Sequence, residues 1–424
     1  MKRRAFLEGL GATAGAALLQ PAIIGARGPG AAGLPSQADP QFWPQLRTQF
    51  RLPRDFAYLN TAGLGASPLK VLDTIKARMD REEENPAPGH NEDDFGRIRG
   101  TCAAMLGPTC RGTDVAFLST ATEGINAILN TVPLGRGDEI ITSTHEHAGL
   151  AIPLLHKMQT TGCVIRTFEP DLRHAGGNVD RVAALLTART KLVFISHVTC
   201  TTGQIMPVAE IGRLAAARGC VFALDGAQSL GHVPFDIVAT GADFYAASCH
   251  KWVMGPKRTG LLYVRPSRQA AARPTIVGAY SDAESNLLAR TLRLRPNALR
   301  FEYGTQNNAL IYGLEAAADF VADIGLETIW RHNRELAERL VSGLQHINGV
   351  SLLSPAEPAC RSAIVTFHVE GKDNRALAGA LVGRRLRVRS VTEAGLDAVR
   401  ASFHVCNDDT QVDRLLDELP ALLR

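Results

Sequence analysis

The chain has 424 residues, 45% of them hydrophobic and 21% charged, enough for a large buried core and two domains. The formal net charge is +4, and the first 33 residues hold Lys2, Arg3, Arg4 and Arg27 against Glu8 alone, so the remainder is nearly neutral. That balance gives no electrostatic case for binding nucleic acid or an anionic membrane surface.

In chain order, residues 1–33 read as a targeting segment. Arg3-Arg4-Ala5-Phe6-Leu7 is a twin-arginine pattern, and a Gly/Ala-rich apolar stretch follows it to Ile24, with a cleavage point near Ala26. The stretch is short and weakly apolar for a membrane span, which needs about 20 strongly apolar residues. Twin-arginine export carries folded proteins, so the expected location is periplasmic or secreted. Residues 34–57 read as an N-terminal arm, mostly polar and irregular. Residues 58–300 read as a large ligand-binding domain and 301–424 as a smaller α+β domain.

Tyr58-Leu59-Asn60-Thr61-Ala62-Gly63-Leu64-Gly65 is rich in small residues, which let backbone approach another group closely. Residues 69–84 and 97–106 read as helices on either side of a Pro/Gly-rich loop. Val115-Ala116-Phe117-Leu118 is a buried strand. Ser119-Thr120-Ala121-Thr122-Glu123 then turns into a helix carrying Ile125, Ile128, Leu129 and Val132 at helical spacing. A strand–turn–helix of this kind leaves free backbone N–H groups and the positive helix end where a phosphate can sit. The strand Glu139-Ile140-Ile141-Thr142 ends at Thr144-His145-Glu146-His147. This His-x-His supplies only two metal ligands with no third nearby, so the metal reading is weak and no metal is expected.

Strands and helices keep alternating through residues 163–224, which predicts a mostly parallel sheet with helices on both faces. No Gly-x-Gly-x-x-Gly follows a strand, so a dinucleotide is not expected. One strand ends in Asp225-Gly226-Ala227-Gln228. The next, Phe244-Tyr245-Ala246-Ala247, arrives at Ser248-Cys249-His250-Lys251. A lysine at the end of a buried strand is desolvated, which lowers its pKa and makes it nucleophilic towards an aldehyde. With an acid upstream for a pyridine nitrogen, it meets the two requirements of pyridoxal phosphate. Further on, Arg300-Phe301-Glu302-Tyr303-Gly304-Thr305 is a polar turn before two helices. Strand-like runs follow at residues 364–369, 386–389 and 399–405, and Arg389 and Arg400 on them offer forks for a carboxylate. The eight cysteines show no CxxC or metal-finger spacing. Cys102 and Cys110 are the one pair near enough in sequence to suggest a bridge, and buried free thiols are the expectation.

Asp225-x-x-Gln228, Ser248-x-His250-Lys251, Gly255-Pro256 and Gly260 together resemble the class V aminotransferases. These are the fold-type I enzymes that include cysteine desulfurases and isopenicillin N epimerase. The resemblance runs from about Tyr58 to the C-terminus. It implies an α/β fold with a large, mostly parallel sheet flanked by helices and a smaller α+β C-terminal domain. It also implies a homodimer with a shared active site, pyridoxal phosphate as cofactor and a small amino acid as substrate.

Residue by residue, the resemblance makes Lys251 the catalytic Schiff-base lysine. Asp225 becomes the partner of the pyridine nitrogen and His147 the ring stacked on it. Ala121, Thr122, Ser248 and His250 become phosphate ligands, joined by Thr305 from the second subunit. Arg400 becomes the carboxylate-binding arginine, Arg389 a second active-site arginine and Asn60 a substrate contact. Cys200 stands where relatives often carry Asn, which leaves Gln228 to bond the cofactor's 3′-oxygen. Desulfurases place a catalytic cysteine on the loop before the carboxylate-binding arginine, but Ser390-Val391-Thr392-Glu393-Ala394 holds none. The expectation is a reaction at Cα of an amino acid, with transamination favoured. Epimerisation and C–S lysis are the enzymatic alternatives, and a non-catalytic binding protein is the contrast that the Lys251/Asp225 pair argues against.

Overall fold

The computed structural model describes residues 36–86 and 89–423. The targeting segment lies outside the described residues. The core is a seven-stranded sheet whose strands are labelled here in chain order: β1 Val115–Leu118, β2 Glu139–Ser143, β3 Val164–Phe168, β4 Thr190–Ser196, β5 Val221–Asp225, β6 Phe244–Ser248 and β7 Gly260–Val264. Their spatial order is β1-β7-β6-β5-β4-β2-β3. Only β7 runs against its neighbours.

β1, β6 and β7 are buried along their whole lengths. That is why their sequences are continuous apolar runs with no alternation: helices cover both faces. Two apolar clusters fill the two sides of the sheet. One is built around Phe95, Phe117, Phe222, Tyr245 and Tyr263, the other around Ile125, Leu129, Phe194 and Ala246. The expected α/β architecture is therefore present, with a second, four-stranded antiparallel sheet formed by the chain from Val350 to Ser402.

Three local features differ from the sequence reading or were absent from it. Within the arm, Phe42–Arg47 is a helix rather than irregular chain. Phe42, Leu46 and Phe50 recur every four residues and bury against Met254, Phe320 and Ile329, contacts the local sequence does not announce. The strand Ala57–Tyr58 pairs in parallel with Leu386–Arg387, tying the start of the Gly-rich stretch to the C-terminal sheet. Asp282–Asn286 and Thr291–Leu294 form an exposed hairpin with Leu287 and Leu288 at its tip, 93% and 97% exposed.

All eight cysteines are free. No helix among the described residues is long and apolar enough to cross a membrane.

Candidate active site

A cavity of about 370 Å³ opens at the carboxyl ends of the parallel strands, where open α/β sheets present their ligands. Of the twelve residues singled out in the sequence, ten line it: Ala121, Thr122, His147, Asp225, Gln228, Ser248, His250, Lys251, Arg389 and Arg400. Asn60 sits behind the wall, with its Oδ1 accepting from Arg400 at 3.2 Å. Thr305 is exposed and lines a different cavity of about 410 Å³ with Glu123, Arg258 and Tyr303.

Two strand ends deliver the central pair. β5 stops at Asp225, which is 5% exposed and accepts from the Ala227 N–H at 2.8 Å. β6 stops at Ser248, and the loop that follows carries Lys251, 8% exposed. Among the described residues the Lys251 amine makes no hydrogen bond or ion pair. Burial pulls its pKa down, partly offset by the charge of Asp225, and the guanidinium groups of Arg400 and Arg389 pull it down further. Burial raises Asp225 in turn, against the Ala227 hydrogen bond and the charge of Lys251. Burial thus disfavours both charges, the setting in which an amine becomes a usable nucleophile.

The small residues upstream have a packing cause. Gly65 N–H donates to the His250 carbonyl at 2.7 Å. A Cβ on Gly65 would lie 1.9 Å from the Lys251 carbonyl oxygen. Only glycine permits this approach, which presses the Tyr58–Gly65 stretch onto the lysine loop.

The helix Ala121–Thr131 begins at the cavity. Thr120 caps it by accepting from Glu123 N–H at 3.2 Å. The Ala121 N–H donates to Ser248 Oγ at 2.9 Å, so the backbone donor there is already engaged. The Thr122 N–H has no acceptor among the described residues, and the Thr122 and Ser248 hydroxyls and the His250 ring remain in the wall. His250 is held neutral, pulled to about 4 by burial and then by Lys251. Its Nδ1 is buried without a hydrogen-bond partner.

His147 caps the helix Ala148–Thr161, its Nδ1 accepting from Gly149 N–H at 2.9 Å. That contact places the ring proton on Nε2. Burial and then Lys251 lower its pKa to about 4, so the ring is neutral at physiological pH. His145 turns away, bonding Thr201 Oγ1 and Glu169 at 2.9 Å each, so the two histidines share no site.

Arg400 is 1% exposed. It donates to the Cys200 carbonyl at 2.5 Å and to Asn60, its Nε has no partner, and no carboxylate among the described residues pairs with it. Burial, and after it Arg389, draw the guanidinium down to about 10, which leaves it charged at neutral pH. Arg389 is half-buried and already ion-paired with Glu393. Cys200 has its thiol raised to about 11 by burial, so it is not a thiolate. Cys406 is buried beside Asn407 and is likewise raised to about 11.

Two residues of this neighbourhood escaped the sequence reading. Glu393 lies four positions after Arg389, a spacing that suggests an ion pair once a turn is known there. Glu146 is buried between Ser143 and Ser196, at 2.6 and 2.5 Å from their hydroxyls. Burial raises it to about 7. Only its place in Thr144-His145-Glu146-His147 marked it.

The donor set fits pyridoxal phosphate. An unengaged amine stands near a buried carboxylate, and a helix N-terminus with hydroxyl and imidazole donors lies in the same wall. A flat neutral imidazole joins them, and a buried cation waits without its anion.

Comparison with known proteins agrees. The chain matches the aminotransferase class-V family over residues 58–415. It is 29% identical over 397 residues to a probable cysteine desulfurase 2 of Mycobacterium leprae, covering 88% of this chain and 93% of that protein. It is 29% identical to isopenicillin N epimerase of Amycolatopsis lactamdurans, covering 90% and 98%. Among solved structures, a cystine C–S lyase in complex with its product cysteine persulfide superposes with a TM-score of 0.79 at 27% identity, covering 87% and 98%. A mutant of that lyase with glycine covalently linked to its pyridoxal phosphate gives 0.80 at 26%, covering 88% and 98%.

Proposed function

The chain belongs to the class V aminotransferase family of pyridoxal phosphate enzymes, and on that premise we propose that it acts at Cα of a small amino acid, with transamination as the favoured outcome. The observation that carries this reading is the unpartnered Lys251 amine in the same cavity as a buried Arg400 that has no carboxylate partner among the described residues.

When bound, the cofactor supplies an aldehyde for amines and a ring that accepts electrons from Cα. Arg400 takes the substrate carboxylate on two parallel N–H groups and so fixes the direction of the Cα–H bond. Lys251, its pKa lowered, accepts the Cα proton and returns one. Asp225 holds a proton on the pyridine nitrogen; a cation there would offset the cost of keeping that carboxylate buried. His147 presents a neutral ring face, and Thr122, Ser248 and His250 hold the phosphate. One proton-carrying group suffices for both proton moves of a transamination. Epimerisation must return the proton on the opposite side of Cα, and the cavity's two histidines, His147 and His250, are both held neutral.

Desulfuration through a protein thiolate is disfavoured. The 390–394 loop has no cysteine, and the thiols of Cys200 and Cys406 are both raised.

The working unit in this proposal is a homodimer. Thr305, exposed beside Glu123 and Tyr303, would complete the phosphate site of a second copy. The twin-arginine segment would direct the folded protein out of the cytoplasm.

The test is a panel of amino acids with the holoenzyme and a 2-oxo acid as amino acceptor, following keto-acid formation, ammonia release and loss of optical activity together. Keto acid in proportion to turnover is the expected result. Racemised amino acid without keto acid would replace transamination by epimerisation.

A further inference from the structure

Gln228 lines the cavity, and its amide orientation is fixed from behind by the residue that follows Lys251. Trp252 has no exposed surface. Its indole nitrogen, which can only donate, lies 2.8 Å from Gln228 Oε1. The Gln228 oxygen is therefore turned inward and its NH₂ outward. One of that group's N–H bonds goes to the Ala62 carbonyl at 2.9 Å. The other has no acceptor among the described residues.

Trp252 is itself clamped. His232 stacks face to face on the indole, with ring centres 3.5 Å apart and planes 8° from parallel. Ala363 N–H donates to His232 Nε2 at 3.1 Å, so His232 Nδ1–H donates to the Gln228 carbonyl at 2.8 Å. On the far side, His404 lies 2.8 Å from the Trp252 carbonyl through Nε2 and 3.1 Å from Asn333 through Nδ1. The carbonyl can only accept, so Nε2 carries the proton and Nδ1 accepts from the amide. The Trp252 Nε1–H, the His232 Nδ1–H and the His404 Nε2–H each have one acceptor here, so the Trp252–Gln228 contact cannot reverse without stranding a buried polar atom. Burial holds both histidines neutral, His232 at about 3 and His404 at about 4, so the arrangement persists across the physiological range.

We propose that Trp252 is a positioning residue. By locking the Gln228 amide, it makes the cavity present a donor and never an acceptor at that point, which selects a ligand carrying an anionic oxygen there. This rests on the reading of the cavity as a pyridoxal phosphate site, where the ring oxygen is the atom that meets the requirement. The charged and titratable groups around the Lys251 amine are Asp225, Arg400, Arg389, His147, His250 and Cys200. None of them changes in the variants below. With the cofactor bound to Lys251, a donor facing the ring oxygen would favour its anionic form and so compete for a proton held by the Lys251 nitrogen. Losing the donor therefore lets that nitrogen keep its proton to higher pH.

The experiment measures pyridoxal phosphate affinity and the pH midpoint of the bound cofactor's visible absorption. Trp252→Phe keeps the stacked ring and removes the indole N–H. It should weaken binding by about tenfold, the scale of a hydrogen bond to a charged group, and raise the midpoint. Gln228→Ala should do the same, and Trp252→Phe should add nothing in the Gln228→Ala background. A Trp252→Phe protein that binds and titrates like the parent overturns the proposal, as does a full additional effect in the double variant. Should Trp252→Phe fail to fold, Gln228→Glu decides. It places an acceptor on the cavity face and must bind the cofactor more weakly than Gln228→Ala; equal or tighter binding overturns the proposal. A parent protein that never takes up the cofactor would instead refute the reading of the site.

Discussion

Two buried arginines in this molecule are built in opposite ways. Arg99, in the helix Glu92–Ala104, is 3% exposed and meets Glu302 in a parallel fork at 2.9 and 2.8 Å. Glu302 also accepts from the Phe117 N–H at 2.8 Å, which fastens the helix to β1. Arg400 is buried at least as deeply, yet it has only a carbonyl and an amide oxygen for partners. The first arginine is complete as it stands, its desolvation offset within the chain. The second bears the cost of burial without its anion. Lys251, in the same cavity, likewise has no hydrogen-bond or ion-pair partner among the described residues, and burial pulls its amine toward the neutral form. The difference separates a structural charge from a site: where the chain leaves buried cations uncompensated, a ligand's anion completes them.

The largest effect is expected at Lys251. Lys251→Ala removes the only amine in the cavity among the described residues, and turnover should fall by about 10³-fold or more. The fold should survive, because Lys251 makes no hydrogen bond or ion pair among the described residues and Asp225 keeps its bond from the Ala227 N–H. Near-parental turnover would break the reading of Lys251 as the cavity's nucleophile and proton carrier. Arg99→Ala should do the reverse. It leaves Glu302 buried and unpaired, and unfolding free energy should drop by about 3–5 kcal/mol. Denaturant melts measure this, and kcat per folded molecule should stay near the parent's.

Arg400→Lys sharpens the contrast from the other side. Lysine keeps the charge and loses the fork. An amino-acid substrate should lose about 2–5 kcal/mol in kcat/KM, the scale for cutting one side of a buried charge pair. The decarboxylated amine should lose much less, and stability should hardly move. Equal losses for the two compounds would take the substrate carboxylate away from Arg400 and point to Arg389.

Most of the fold and most of the cavity wall were legible in sequence because they are local. Lys251 and Asp225 each sit at the end of an apolar run, and the turn at residues 119–123 announces a helix start. What was not legible depends on partners far along the chain. Asn60 meets Arg400 across 340 positions, and no pattern at Asn60 says so. The orientation of Gln228 needs Trp252, 24 positions on. The hairpin from Asp282 to Leu294 was missed because both its faces are largely exposed, so it has no apolar alternation to read. The helix at Phe42 is too short for periodicity and is held by residues such as Phe320.

The smallest effect is expected where the two designs meet. Arg389 faces the cavity like Arg400 but is paired like Arg99, with Glu393 behind it. Burial pushes the Glu393 carboxyl up, but the hydrogen bond and charge of Arg389 together with the backbone N–H donors outweigh it, so the carboxyl sits below its usual range and is ionised at neutral pH. Both side chains are partly exposed, so solvent screens the pair and its contribution to stability is small. Glu393→Gln should change unfolding free energy by less than about 1 kcal/mol. The cavity, however, then holds an additional cation without its anion. A small dicarboxylate that reaches Arg400 and Arg389 together should inhibit several-fold more strongly, while a monocarboxylate of similar size should change little. Inhibition constants for succinate and propionate, measured in both proteins, make the comparison. If the two shift equally, Arg389 is not a second carboxylate site even when freed, and its pairing with Glu393 is structural in the same sense as that of Arg99 with Glu302.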